Sequence, residues 1–137
     1  MNAPGVLLDT GPLVALLSAR DSHHARARQL FDECLPPLRS CEAVVAEACF
    51  LMTKVHAAGP GEVIALIRRG VVEMAMAAEQ HWPNLEVLLR RYADRPVSFA
   101  DACLIRCAEV HEEGRIATFD RDFSVYRWAR HRKFQIL

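Results

Sequence analysis

Val6-Leu7-Leu8-Asp9-Thr10-Gly11-Pro12-Leu13 decides how the rest of the chain is read. Three apolar residues form a short run that ends in a carboxylate, the pattern of a buried strand. Gly11-Pro12 then opens a helix, because proline lacks the N–H that a first helical turn leaves unpaired anyway. Leu13, Leu16 and Leu17 keep the helical period to about residue 20. A strand that runs straight into a helix is the repeating unit of an α/β fold.

The same alternation continues along the chain. Asp21-Ser22 caps a second helix to about residue 34, and Pro36-Pro37 breaks it ahead of a strand at 38–40. A helix follows over 41–57, punctuated by Gly59-Pro60-Gly61, then a short helix over 62–69 and a strand at 71–74. The next helix spans 83–92 and stops at Arg95-Pro96. Ser98 caps another that runs to about 112, and Gly114 separates it from a strand at 116–119 that stops at Asp120. A short helix near 125–130 and a last strand at 134–137 complete the expectation. Short strands between helices predict a parallel sheet covered on both faces: a three-layer α/β/α sandwich with about five strands.

With 137 residues, of which 52% are apolar and 25% charged, the chain has room for one domain over 1–137 and a real core. No disorder of the bulk is expected, and no apolar run approaches the ~20 residues of a membrane span. Met1-Asn2-Ala3-Pro4-Gly5 carries no basic segment, so no secretory signal is expected. The five cysteines (Cys34, Cys41, Cys49, Cys103 and Cys107) include no C-x-x-C pair. Cys103 and Cys107 sit among Ala102, Leu104, Ile105 and Ala108, which makes them small core residues of a reduced, cytoplasmic protein. Lys+Arg and Asp+Glu tie at 17 each, but unevenly along the chain. Residues 115–137 hold six basic and two acidic side chains, net +4, which leaves the first 114 residues at −4. Such a bipolar surface hints at a polyanion held near carboxylates.

Four carboxylates draw attention. Asp9 and Asp120 each end a strand, where α/β folds bind ligands, although a helix cap and an Asx-turn would also account for them. Asp101 closes the capping box Ser98-Phe99-Ala100-Asp101, a geometry that also holds a carboxylate at a helix start. Glu47 is the one charge in Ala43–Met52, and a buried carboxylate without a partner is too costly to keep. Alternatively Ser40, Glu47 and Lys54, seven apart, line a solvent stripe. Should the four acids converge, mutual repulsion raises their pKa values unless a divalent cation neutralises them. Oxygen-only ligands select Mg²⁺ or Mn²⁺, ions suited to phosphodiester hydrolysis.

In order and spacing these residues resemble the PIN-domain nucleases. Leu8-Asp9-Thr10-Gly11-Pro12-Leu13 is similar to their opening motif, Val45-Ala46-Glu47-Ala48 to the helical glutamate, Ser98-Phe99-Ala100-Asp101-Ala102 to the third acid, and Thr118-Phe119-Asp120-Arg121-Asp122-Phe123 to the fourth. The likeness covers essentially the entire chain, and at this size it is to the VapC-type toxins of bacterial toxin–antitoxin pairs. It implies a five-stranded parallel sheet and a Mg²⁺- or Mn²⁺-dependent ribonuclease. Asp9, Glu47, Asp101 and Asp120 are then catalytic, with Asp9, Asp101 and Asp120 on the metal. It also implies a homodimer inhibited by a small antitoxin. Thr10, Thr118 and Asp122 are accessory candidates, whereas Asp94 reads as a turn residue. Arg121, Arg127, Arg130 and Lys133 of the basic tail become candidates for RNA phosphates, with a solvated face as the alternative. His23-His24 reads as a surface turn.

Other classes compete. Asp9-Thr10-Gly11 is also the triplet of retroviral-type aspartic proteases, but those are almost all β, and here the triplet runs into a helix. A phosphotransferase with an aspartate nucleophile wants a second aspartate at position 11, which is glycine. A PIN fold that grips RNA or protein without cutting, and a housekeeping RNA-processing nuclease, remain as alternatives.

Overall fold

The computed structural model describes residues 3–137. Five short strands, β1 (Leu7–Leu8), β2 (Leu38–Ser40), β3 (Val72–Met74), β4 (Arg115–Ala117) and β7 (Gln135–Ile136), form one sheet in the order β3-β2-β1-β4-β7. Every pairing in it is parallel, with Leu7 opposite Arg39 on one side and Ile116 on the other. The five strands are those the sequence predicts.

Between them run α1 (Thr10–Leu17), α2 (His24–Glu33), α3 (Glu42–Met52), α4 (Gly59–Arg68), α5 (Trp82–Arg91) and α6 (Phe99–His111). The chain leaves β1 towards β2 and β3, then returns across the sheet to β4 and β7. Right-handed crossovers therefore put α1–α4 on one face and α5–α6 on the other. Within each face the packing agrees, since α1 meets α2, α3 and α4 while α5 meets α6; α3 and α6 also touch each other. Leu7, Leu8, Leu13, Leu104, Ile105 and Ile116 are fully or almost fully buried at the centre. Cys103 and Cys107 are buried there too, as core residues. Ser40 is also buried, and its hydroxyl donates to the Leu8 carbonyl at 2.8 Å. Among the described residues no helix is long and apolar enough to cross a membrane.

Two local expectations are corrected. Gly59-Pro60-Gly61 does not precede α4 but forms its first turn, which is where proline and a missing donor are tolerated. The helix expected at 125–130 is instead a 3₁₀ turn (Arg121–Ser124) followed by an antiparallel hairpin, β5 (Arg127–Trp128) with β6 (Arg132–Lys133). Its turn places Ala129 and Arg130 at φ 48° and 73°, a conformation rare outside glycine and asparagine, so the sequence gives no turn signal.

The junction of α3 and α4 depends on Gly59. A Cβ there would lie 2.7 Å from the Met52 carbonyl oxygen, whereas one on Gly61 would meet nothing within 4 Å. Gly59→Ala should cost about 1–3 kcal/mol in urea unfolding through overpacking. Gly61→Ala should gain roughly 0.5–1 kcal/mol from the lower entropy of the unfolded chain. Equal effects of the two changes would contradict this packing.

Candidate active site

Strand order reverses between β1 and β4, so the crevice of this sheet opens beyond their carboxyl ends. Asp9 follows β1 directly. Its N–H completes the ladder on the Ala117 carbonyl at 3.0 Å, and its carboxylate caps α1 through the Thr10 N–H at 2.8 Å. The other oxygen, Oδ2, accepts the Thr118 hydroxyl at 2.6 Å. Thr118 Oγ1 in turn accepts the Asp120 N–H at 3.0 Å, which fixes the turn where the chain leaves the sheet.

Asp101 reaches the same place from α6. Its N–H donates to Ser98 Oγ at 3.0 Å and its Oδ2 accepts the Ser98 N–H at 3.2 Å, a complete capping box. Cap and crevice are thus one geometry, because the start of α6 faces the strand ends. Tyr126, fully buried, donates its hydroxyl to Asp101 Oδ2 at 3.1 Å. Nothing in the sequence marks Tyr126 for this role, since the partners lie 25 residues apart.

One carboxylate oxygen from each of Asp9, Asp101 and Asp120 lies within 4.8 Å of the others. Asp9 and Asp101 are both 7% exposed, and Asp120 is more open. The crevice around them, about 400 Å³, also includes Thr10, Glu47 and Phe119. Burial pushes the Asp9 carboxyl up to about 6; the hydrogen bonds from Thr118 and Thr10 pull it back, and the charges of Asp101 and Asp120 push it up again. Burial raises Asp101 as well, with Ser98 and Tyr126 opposing. Three oxygen donors this close, none ion-paired to a basic side chain among the described residues, form a donor set suited to a hard divalent cation.

Glu47 lines this crevice, but the burial expected for it is corrected. It is exposed, and its Oε2 accepts the Thr10 hydroxyl at 2.9 Å. The apolar run around it misleads because α3 leaves part of its apolar surface open, with Phe50 62% exposed. The solvent stripe is corrected too, since Ser40 belongs to β2 and is buried. Asp122 does not join the three acids. Its N–H donates to Asp120 Oδ1 at 2.9 Å, while its carboxylate takes Arg95 Nη1 at 3.2 Å.

The basic tail is dispersed. Arg121 follows Asp120 in sequence and lines a neighbouring depression with Ser124 and Ile136. Arg127 turns its Nη1 onto the Ser124, Val125 and Tyr126 carbonyls at 3.0 Å each. Arg130 and Lys133 are exposed on the hairpin. His23 stacks on Phe119, with ring centroids 4.7 Å apart, and so borders the site although the sequence marks it only as a turn.

A parallel sheet with three carboxylates gathered at its switch point defines a class of α/β proteins built for cation-assisted chemistry on anionic substrates. The PIN domain family model matches residues 6–129, and the chain belongs to that family. It is 27% identical over 124 residues to ribonuclease VapC26 of Mycobacterium tuberculosis, covering 89% of this chain and 92% of that protein. The crystal structure of M. tuberculosis VapC20, described as a sarcin-ricin loop cleaving toxin, is 27% identical with a TM-score of 0.73. That match covers 93% of this chain and 99% of the other.

The raised Asp9 carboxyl has a stability consequence. Between its ordinary value of 3.8 and about 6, the folded state holds a proton that the unfolded chain releases. For this group, stability therefore falls as pH rises through that window and stays low above it. In EDTA, Asp9→Asn should be more stable than the parent by about 1–3 kcal/mol near pH 8, and the gap should close below about pH 4. Added Mg²⁺ should raise the melting temperature of the parent alone. A pH-independent gap between the two proteins would contradict the assignment.

Proposed function

We propose that this chain is an endoribonuclease of the VapC type, a Mg²⁺- or Mn²⁺-dependent hydrolase of RNA phosphodiesters. On this reading it is the toxin of a toxin–antitoxin pair, carried on one cytoplasmic domain over 1–137. The observation that carries the reading is the convergence of Asp9, Asp101 and Asp120 at the switch point of a PIN fold. The kind of activity follows the two relatives, one named a ribonuclease and the other an RNA-loop-cleaving toxin.

Asp9, Asp101 and Asp120 would hold the cation, which when bound polarises the phosphodiester and lowers the pKa of water. Thr118 and Thr10 orient Asp9, and Tyr126 and Ser98 orient Asp101, so these two acids would be held in place for a cation. Glu47 stands at the open side of the crevice, where its carboxylate takes the proton of the attacking water. Thr10 fixes one of its oxygens and leaves the other for this task. Asp122 acts indirectly, through its N–H on Asp120 and by occupying Arg95. Arg121, the residue after Asp120, offers the substrate a cation in the depression that adjoins the crevice through Thr118, Phe119 and Asp120.

Protein partners have surfaces to use. Phe50, Leu51 and Val55 are exposed at and beyond the end of α3, and Trp82 and Phe99 are exposed across α5 and α6. Apolar exposure of this kind supports the expected antitoxin and homodimer.

Purified protein incubated with a structured RNA pool should cleave it with Mg²⁺ or Mn²⁺ and not with EDTA. Asp9→Asn and Asp101→Asn, purified identically, should lose on the order of 100-fold or more. Equal cleavage by variants and parent would expose a contaminating nuclease. Tight metal-independent binding without cleavage would make the chain a non-catalytic PIN module.

A further inference from the structure

Away from the acids, a crevice of about 530 Å³ opens between α5, α6 and the turn of the β5–β6 hairpin. Its walls carry three guanidinium groups, from Arg91, Arg106 and Arg130. Arg106 is held in place: its Nε donates to His81 Nδ1 at 3.1 Å and its Nη1 to Glu109 Oε1 at 3.1 Å. The other carboxylate oxygen of Glu109 accepts the Ala129 N–H at 2.9 Å. That bond ties down a turn whose two residues, Ala129 and Arg130, both sit at positive φ. Backbone of this kind persists only where surrounding contacts over-determine it, and it clusters at functional sites. Here it carries Arg130 into the crevice that Arg91 also lines.

Arg91 and Arg130 are exposed, and among the described residues neither has a carboxylate partner. Val87 lines the same crevice and is 53% exposed, so the cations flank an apolar wall. Planar forked donors beside an apolar surface suit a phosphate joined to a ribose or base. The crevice also lies within reach of the acids. Glu109 is eight residues after Asp101 on α6, about 12 Å along the axis. Ala129 is three residues beyond Tyr126, the partner of Asp101, roughly 10 Å of extended chain. A single RNA strand spans such a distance in a few nucleotides.

We infer that this crevice is a second RNA contact, binding a backbone phosphate of the same strand a few nucleotides from the bond held at the acids. This rests on the ribonuclease reading above and names where its substrate is gripped. Arg91 and Arg106 thereby join Arg130 as RNA-binding residues. Arg127, with its guanidinium turned onto backbone carbonyls, does not.

The test uses Asp101→Asn protein, so that RNA is not consumed, with and without Arg91→Gln and Arg130→Gln together. Fluorescence anisotropy reads binding of a labelled single-stranded RNA oligonucleotide, a trinucleotide and a polyglutamate peptide. The added pair should weaken oligonucleotide binding about 10- to 100-fold and flatten its salt dependence by roughly one to two ions released. Trinucleotide binding and the melting temperature should not change, because both side chains are exposed and lie away from the acids. Unchanged oligonucleotide affinity and salt slope would overturn the second contact while leaving the ribonuclease reading intact. Loss of polyglutamate binding alone would overturn it in favour of an acidic protein partner. No RNA binding before the arginines are changed would overturn both readings.

Discussion

The hydrogen bond from Thr118 to Asp9 joins the ends of the two strands between which the sheet changes direction, and the site depends on it. Asp9 is at once the last ladder residue beyond β1, the cap of α1 and one of the two buried acids of the cluster. A carboxylate in that position is costly because burial removes its hydration. Thr118 and the Thr10 N–H offset part of that cost, and the rest remains as an Asp9 carboxyl held near 6. The repulsion of Asp101 and Asp120 adds to it. An arrangement that destabilises its own charged form in this way has a physical reason to favour a cation, independent of any relative.

Most of the sheet was legible in the sequence because its strands are short segments, several of them apolar runs, set between sharp breaks. Asp9 closes one, Pro36-Pro37 and Cys41 bracket another, and Gly114 and Asp120 bracket a third. What escaped depends on contacts distant in sequence. Ala129 and Arg130 turn without glycine because Glu109, twenty residues earlier, accepts the Ala129 N–H. No local pattern encodes that support, and the stretch reads as a helix instead. Tyr126 is hidden for the same reason, since a tyrosine after a turn gives no sign that its hydroxyl will meet a carboxylate on α6.

Glu47 shows how a position can be singled out on a premise that fails. The apolar run Ala43–Met52 implied burial on all sides, yet the helix keeps part of that surface in solvent. The cost of burying a charge therefore does not apply to Glu47. Its tie to the site is the hydroxyl of Thr10, the residue after Asp9, which carries the order of the first strand out to the rim of the crevice. Asp101 is the opposite case. The capping box that offered it an ordinary explanation is present in full, and it is the same contact that aims the carboxylate into the crevice.

The placement of positive charge completes this logic. A cluster of acids repels a polyanion, so the protein needs cations to hold RNA, but a guanidinium among the acids would take the place of the metal. Arg95 shows how the conflict is settled near the site. Its Nη1 goes to Asp122, an acid outside the cluster, and not to Asp9, Asp101 or Asp120. Arg127 is spent in a similar way on backbone carbonyls. Arg91 and Arg130, two of the arginines without a carboxylate partner among the described residues, stand further off, with Glu109 holding both Arg106 and the turn that carries Arg130. On the proposed reading, affinity and chemistry are separated along α6: its first turn would supply a carboxylate for a cation, and its later turns would support the charges that hold the strand.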